Sequence, residues 1–125
     1  MKKLRCLLFS CFLVITMSGY AQTKGYANPS AIYCEMMGYT YEIRQDQQGN
    51  SIGVCILPNN QAVSAWDFFK GKVAQEYSYC AKKGYRTETE TTDTDGYVTE
   101  CAVCTQETEK GVILRIPMTE LMEQN

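Results

Sequence analysis

Tyr33-Cys34-Glu35-Met36-Met37-Gly38-Tyr39-Thr40-Tyr41-Glu42 is answered 46 residues later by Tyr79-Cys80-Ala81-Lys82-Lys83-Gly84-Tyr85-Arg86-Thr87-Glu88. Both stretches read Tyr-Cys, three residues, Gly-Tyr, two residues, Glu. In each a further cysteine stands 21 residues beyond the first, at Cys55 and at Cys101. The economical reading is an internal duplication. It predicts an α+β fold of two helix–β-hairpin pseudo-repeats, residues 28–73 and 74–125, sharing one antiparallel sheet packed by helices and stapled by disulfides.

Local signals fill in each unit. Asn28-Pro29 supplies a capping side chain and a proline for the first helical position. Ala31, Cys34 and Met37 follow at helical spacing up to Gly38. Tyr39, Tyr41 and Ile43, then Ile52, Val54 and Ile56, alternate with polar or small residues around a turn at Asp46 to Asn50, which predicts a β-hairpin with one apolar face. Ser64 and Asp67 have capping-box spacing ahead of a short helix through Trp66, Phe68 and Phe69, which Gly71 can end. That aromatic cluster reads as core, a lid over Tyr41, Ile43 and Val54.

The second unit is expected to open with a helix over Val73 to Lys83, where Lys82 and Lys83 suit the dipole. Its hairpin is more polar, with Thr87, Thr89 and Glu100 at the places of Tyr41, Ile43 and Val54. Thr87 to Asp95 therefore reads as a solvated strand at a sheet edge. Val112, Leu114 and Ile116 form a last strand, and Pro117 opens a short helix. No linker separates the halves, so the two units are expected to share one core.

A unit of this size has a marginal apolar core, so a bridge in each is physically sensible. Cys34 sits on the inner stripe of a helix and Cys55 on the following strand, and Cys80 and Cys101 hold matching places. Four cysteines allow three pairings, and the duplication favours the local ones, Cys34 with Cys55 and Cys80 with Cys101. Cys104 is left over, as a free thiol buried under the second hairpin or as a point of covalent attachment to a partner. Cys101 and Cys104 have a spacing seen in zinc and redox sites, yet residues three apart on a strand point to opposite faces. The chain has no histidine and no second close cysteine pair, so no metal and no cofactor is expected.

Residues 1–21 resemble a cleavable secretory signal: basic Lys2, Lys3 and Arg5, an apolar stretch Leu7 to Ile15, and small residues before Gln22. The stretch is short for a membrane span, and Cys6 and Cys11 are misplaced for lipid anchoring. Residues 22–27 read as a short flexible lead into a single domain, 22–125. The full chain has twelve basic and fourteen acidic residues. Losing three basic residues with the leader makes the exported chain distinctly acidic, which argues against a nucleic-acid partner. Export makes periplasm or extracellular space the expected location, with no integral membrane segment in the mature chain and bridged cysteines the default.

The run Asn28 to Cys34, with Tyr41-Glu42-Ile43-Arg44, Gly53-Val54-Cys55, Leu57-Pro58, Trp66 and Lys70-Gly71, resembles a small exported bacterial family, domain of unknown function 333, which carries a hemolysin label. The resemblance covers residues 28–73 and reaches the second unit only through the duplication. It implies export and a small disulfide-stapled domain. Two further cysteines of the family pattern fall at Val63 and Val73 of this chain; their joint absence implies loss of one whole bridge and supports pairing Cys34 with Cys55.

Catalytic patterns are sparse. Without histidine, no triad with an imidazole base can form. Thr91 to Gly96 is similar to a calcium loop only in part, since Thr91 and Ala102 would occupy its first and last ligand positions; turn chemistry explains it better. Glu88 and Glu90 share a strand face, a pattern that suits acid–base work and equally a solvated surface. The expected function is therefore a non-catalytic binding or inhibitory module with an unidentified protein or glycan partner, its acidic hairpin and surplus tyrosines serving recognition. A membrane-active, hemolysin-like protein and a structural envelope component are the alternatives.

Overall fold

Asn28 opens the first element: its Oδ1 accepts the N–H of Ser30 at 3.0 Å, and Pro29 takes the first helical position. The computed structural model describes residues 28–125; the expected leader (1–21) and the lead at 22–27 lie outside the described residues. Helix α1 (Pro29–Met36) is followed by strands β1 (Thr40–Gln45), β2 (Ser51–Ile56) and β3 (Ala62–Ser64) and helix α2 (Ala65–Phe69). A 3₁₀ turn (Gln75–Tyr77) leads to α3 (Tyr79–Lys82), β4 (Arg86–Thr94), β5 (Tyr97–Glu107), β6 (Ile113–Pro117) and α4 (Met118–Glu123). Helix, three strands and helix thus occur in that order in each half.

The fold is α+β, with two disulfides and two antiparallel sheets in place of the single shared one, ordered β1-β2-β3 and β4-β5-β6. The reason is local. Each hairpin acquires its third strand from the segment directly after it, through the tight turns closed by Leu57 N–H to Gln61 O (2.9 Å) and Thr108 N–H to Val112 O (2.8 Å). Closing such short loops costs less chain entropy than pairing strands from opposite halves.

The first hairpin also lacks the single apolar face expected of it. Its five-residue turn pairs Gln45 with Ser51, which sets Tyr41 against Cys55, Glu42 against Val54 and Ile43 against Gly53. Cross-strand partners share a face, so Tyr41 and Ile43 lie opposite to Ile52, Val54 and Ile56. Ile43 is left 63 % exposed, whereas Val54 and Cys55 on the central strand are buried. The Tyr41 ring lies over Gly53, where an added Cβ would come within 2.8 Å of a ring carbon.

Helix α2 begins as expected, with the Ser64 hydroxyl accepting the Asp67 N–H at 3.3 Å. Phe68 is fully buried and Phe69 packs against the core, but Trp66 is 43 % exposed. The aromatic lid covers Tyr33 and Tyr39, with ring centroids 4.9 and 6.0 Å from Phe68, and not Ile43. The continuous helix expected over Val73 to Lys83 is absent. Ala74 adopts a left-handed backbone (φ 52°), and Ser78 is extended so that its hydroxyl can cap α3, accepting the Ala81 N–H at 3.2 Å. The buried Ser78 hydroxyl also bonds Thr87 Oγ1 at 2.6 Å. A serine with a capping partner and a buried strand hydroxyl competes well with an unbroken helix.

One apolar core joins the two halves: Tyr33, Cys34, Cys55 and Phe68 meet Cys80, Ala102, Cys104 and Met118 in a single buried cluster. Cys34 is bridged to Cys55. In the second half Cys80 is bridged to Cys104, so Cys104 is not the spare thiol; Cys101 is unbridged and exposed. Strand register explains the correction. Thr87 stands 46 residues after Tyr41, and it pairs with Cys104 just as Tyr41 pairs with Cys55. The second hairpin is three residues longer, so the equal 21-residue spacing does not mark equal places. Sliding β5 to bring Cys101 opposite Thr87 would set Glu88 directly against Glu100 and push buried Val103 past the start of β4. Like charges opposite one another and an exposed valine both oppose that register.

Tyr33 is 1 % exposed, and burial pushes its phenol up from 10.0 to about 12, although its oxygen accepts the N–H of Tyr79 at 2.9 Å.

Two outcomes are expected. Cys104→Ser should lower stability by about 3 kcal/mol, the scale for opening a loop of this size, whereas Cys101→Ser should change it by less than about 0.5 kcal/mol; denaturant unfolding of both variants, with bridge mapping of the wild type, checks this. Because the folded Tyr33 resists ionisation, its stabilising contribution is complete below pH 10 and is lost as pH rises toward 12. Alkaline melts should therefore fall more steeply for the wild type than for Tyr33→Phe.

Candidate binding surface

Strand β4 alternates threonine with glutamate from Thr87 to Thr91, and such a strand gains little by burying either face. Among the described residues it pairs only with β5, and an Asp95-Gly96 turn with φ of 52° and 85° joins them, as a two-residue hairpin loop requires. Asp93 Oδ1 accepts the Gly96 N–H at 3.1 Å and steadies the tip. Every residue from Glu90 to Thr99 is exposed, so the upper part of the hairpin is an arm. Tyr97 is 79 % and Val98 63 % exposed near its tip.

The base of the arm is fixed by Lys70-Gly71-Lys72, which follows α2. Thr89 Oγ1 donates to Lys70 O at 2.9 Å. Glu100 takes Lys72 Nζ at 3.0 Å and Lys70 Nζ at 3.4 Å. Gly71 makes the approach possible: with φ +78°, its Cα lies so close that a Cβ would stand 3.0 Å from Thr87 Cγ2 and 3.1 Å from the Ala102 methyl. The hydrogen bond from Lys72, then that from Lys70, holds the Glu100 carboxyl below its ordinary value, and Glu100 in turn raises Lys72.

Glu88 and Glu90 do share a face, but Arg115 on β6 binds both, at 2.9 and 3.6 Å, and Thr105 Oγ1 bonds Glu88 at 3.4 Å. Paired to a permanent cation, they form a sheet-face network with Arg115 and Thr105. Thr91 to Gly96 forms the strand end and turn. Of the cysteines, Cys34, Cys55, Cys80 and Cys104 lie in the core, and Cys101 lies at the foot of the arm on the face opposite Cys104, beside Glu90. Sequence reasoning marked Glu100 only as a polar substitute for Val54; its pairing with Lys70 and Lys72 crosses between the halves and leaves no local periodicity to read.

Residues 25–72 match DUF333, a domain of unknown function. The DUF333 segment holds α1 to α2 and ends at Lys72, so the arm lies outside it while two of its anchoring lysines lie inside. An uncharacterized protein of Archaeoglobus fulgidus is 51 % identical over 78 residues, covering 62 % of this chain and 36 % of that protein. The chain therefore spans about a third of the length of this relative. No solved structure matches. Among the described residues no helix is long and apolar enough to cross a membrane.

A carboxyl held below its ordinary value stabilises the fold above the usual carboxylate range and loses that contribution as pH falls through its lowered value. Thermal melts taken from neutral to acid pH should therefore decline more steeply for the wild type than for Glu100→Gln, and added salt should narrow the difference.

Proposed function

We propose that this protein is an exported, non-catalytic binding module that presents the β4–β5 arm to a protein or glycan partner, and is inhibitory where the arm occupies a target's site. The observation that carries the reading is the contrast along the hairpin. From Glu90 to Thr99 it is exposed, yet its base is anchored by Lys70, Gly71 and Lys72. A lone molecule gains nothing by displaying Tyr97 and Val98 to water, whereas an aromatic side chain with a polar tip on a rigid ribbon is a favourable contact residue. Both disulfides suit an oxidising compartment outside the cytoplasm. The Arg115 clamp on Glu88 and Glu90 supports a reading without acid–base chemistry.

The test is retention from envelope extract on immobilised protein, comparing wild type with Tyr97→Ser/Val98→Ser of unchanged melting temperature. The variant should retain at least about tenfold less of any partner, as for loss of a contact worth about 1.4 kcal/mol. Equal retention by both proteins, or none by the wild type, would overturn the proposal.

A further inference from the structure

Strand β1 is a sheet edge: among the described residues it pairs with β2 on one side and with no strand on the other. The Asp46 N–H donates to Asn50 O at 2.9 Å, a hydrogen-bonded pair in the same register that sets Gln45 against Ser51. Such pairs alternate along an antiparallel ladder. The backbone groups of Glu42 and Arg44 therefore point inward to β2, and those of Tyr41, Ile43 and Gln45 point outward, unused by the sheet. Ile43 is also 63 % exposed. An open edge with an exposed apolar side chain is a template for another strand.

The charges say which strand. Glu42 and Arg44 stand two apart on one face, each about half exposed, and are paired to each other at 3.0 Å. Glu42-Ile43-Arg44 is consequently its own complement in an antiparallel pair. With a two-fold axis at Ile43, Glu42 lies opposite Arg44 of the partner subunit and Arg44 opposite the partner's Glu42, while Ile43 meets Ile43 and Tyr41 meets Gln45. Opposite charges in such places stabilise a strand pair. The same register opposes the three residues whose backbone groups are free, so the alignment that matches charge also completes the ladder. The other edges lack this property. Strand β3 is three residues long and runs directly into α2. Strand β4, turned on itself about its middle residue, sets Glu90 against Glu90, and on β6 Arg115 is already engaged by Glu88 and Glu90.

We propose that β1 is a self-association edge, through which two copies of this protein pair antiparallel about a two-fold axis at Ile43 into one sheet ordered β3-β2-β1-β1-β2-β3. The contact is isologous and uses each β1 edge once, so it closes at two chains. It is independent of the β4–β5 arm, which belongs to the other sheet, and the dimer carries two arms. A contact one strand wide and about 20 Å long falls short of the roughly 1,200 Å² of a stable interface, which makes the dimer a weak one, with a dissociation constant on the order of 100 µM.

The test is sedimentation equilibrium of the intact, oxidised protein over a range from about 10 µM to about 1 mM, which brackets that affinity. The wild-type mass should rise from one chain toward two and stop there. Glu42→Arg and Arg44→Glu should each weaken association by about tenfold or more, because each sets like charges opposite one another. Both should keep the wild-type melting temperature, since an exposed ion pair adds little to stability. An equimolar mixture of the two variants should associate as the wild type does, each edge then complementing the other. A wild type that stays monomeric throughout would overturn the proposal. So would association that Glu42→Arg leaves unchanged, that the mixture fails to restore, or that continues beyond two chains.

Discussion

The hydroxyl of Tyr33 reaches its partner only through the assembled core, where it accepts the N–H of Tyr79, the first residue of α3. The favour is returned at the other end of the same pair of helices. Lys82, in the last turn of α3, donates to Met37 O at the end of α1 at 3.0 Å, and its ammonium lies 4.9 Å from the Tyr39 ring centroid. Each helix is far too short to be stable alone, and each leaves backbone groups without intrahelical partners. Reciprocal capping supplies them across the boundary between the halves. Neither helix is complete until the other is in place, which ties the two halves to one core although each keeps its own sheet.

The disulfides act on this frame from behind. Cys34 ties α1 to β2, and Cys80 ties α3 to β5, so each capped helix is fixed to the central strand of its own sheet. The choice of Cys104 over Cys101 is a consequence of register, and register follows from burial. With Cys104 opposite Thr87, strand β5 buries Ala102, Val103, Cys104 and Thr105 in succession. Slid three residues, it would offer Thr99, Glu100, Cys101 and Ala102 to the same places. A glutamate in the slot of a buried valine costs more than any gain from repeating the spacing of the first half.

Legibility followed the range of the interactions. Signals within a few residues were plain in the chain: the Asn28-Pro29 start, the Ser64 cap, both hairpins and the Pro117 helix start. The Tyr33/Tyr79 correspondence led to the expectation of two pseudo-repeats on one sheet, whereas two separate sheets form, and its equal spacing concealed a three-residue difference in hairpin length and so assigned the wrong cysteine to Cys80. The apolar face of β1 and β2 was misread because alternation along one strand does not say which face its partner shows; the odd loop between them decides that. The break at Ser78 depends on a hydroxyl from Thr87 on another element, and the Glu100 anchor depends on Lys70 and Lys72. Neither is written in any local window.

That division bears on where function resides. DUF333 covers the half that is read most easily, and its end supplies Lys70 and Lys72, while the exposed arm belongs to the half beyond it. From Glu90 to Thr99 the hairpin needs outside support to stand at a fixed angle, because that stretch buries no face against the core. The loop after α2 provides that support through a close approach that Gly71, at φ +78°, makes without strain, and through two ammonium groups on one carboxylate. The first half thus works as a platform for the second. Recognition by Tyr97 and Val98 would draw on a strand pair whose conformational entropy was already lost on folding, which is the physical advantage of a braced arm over a loose loop.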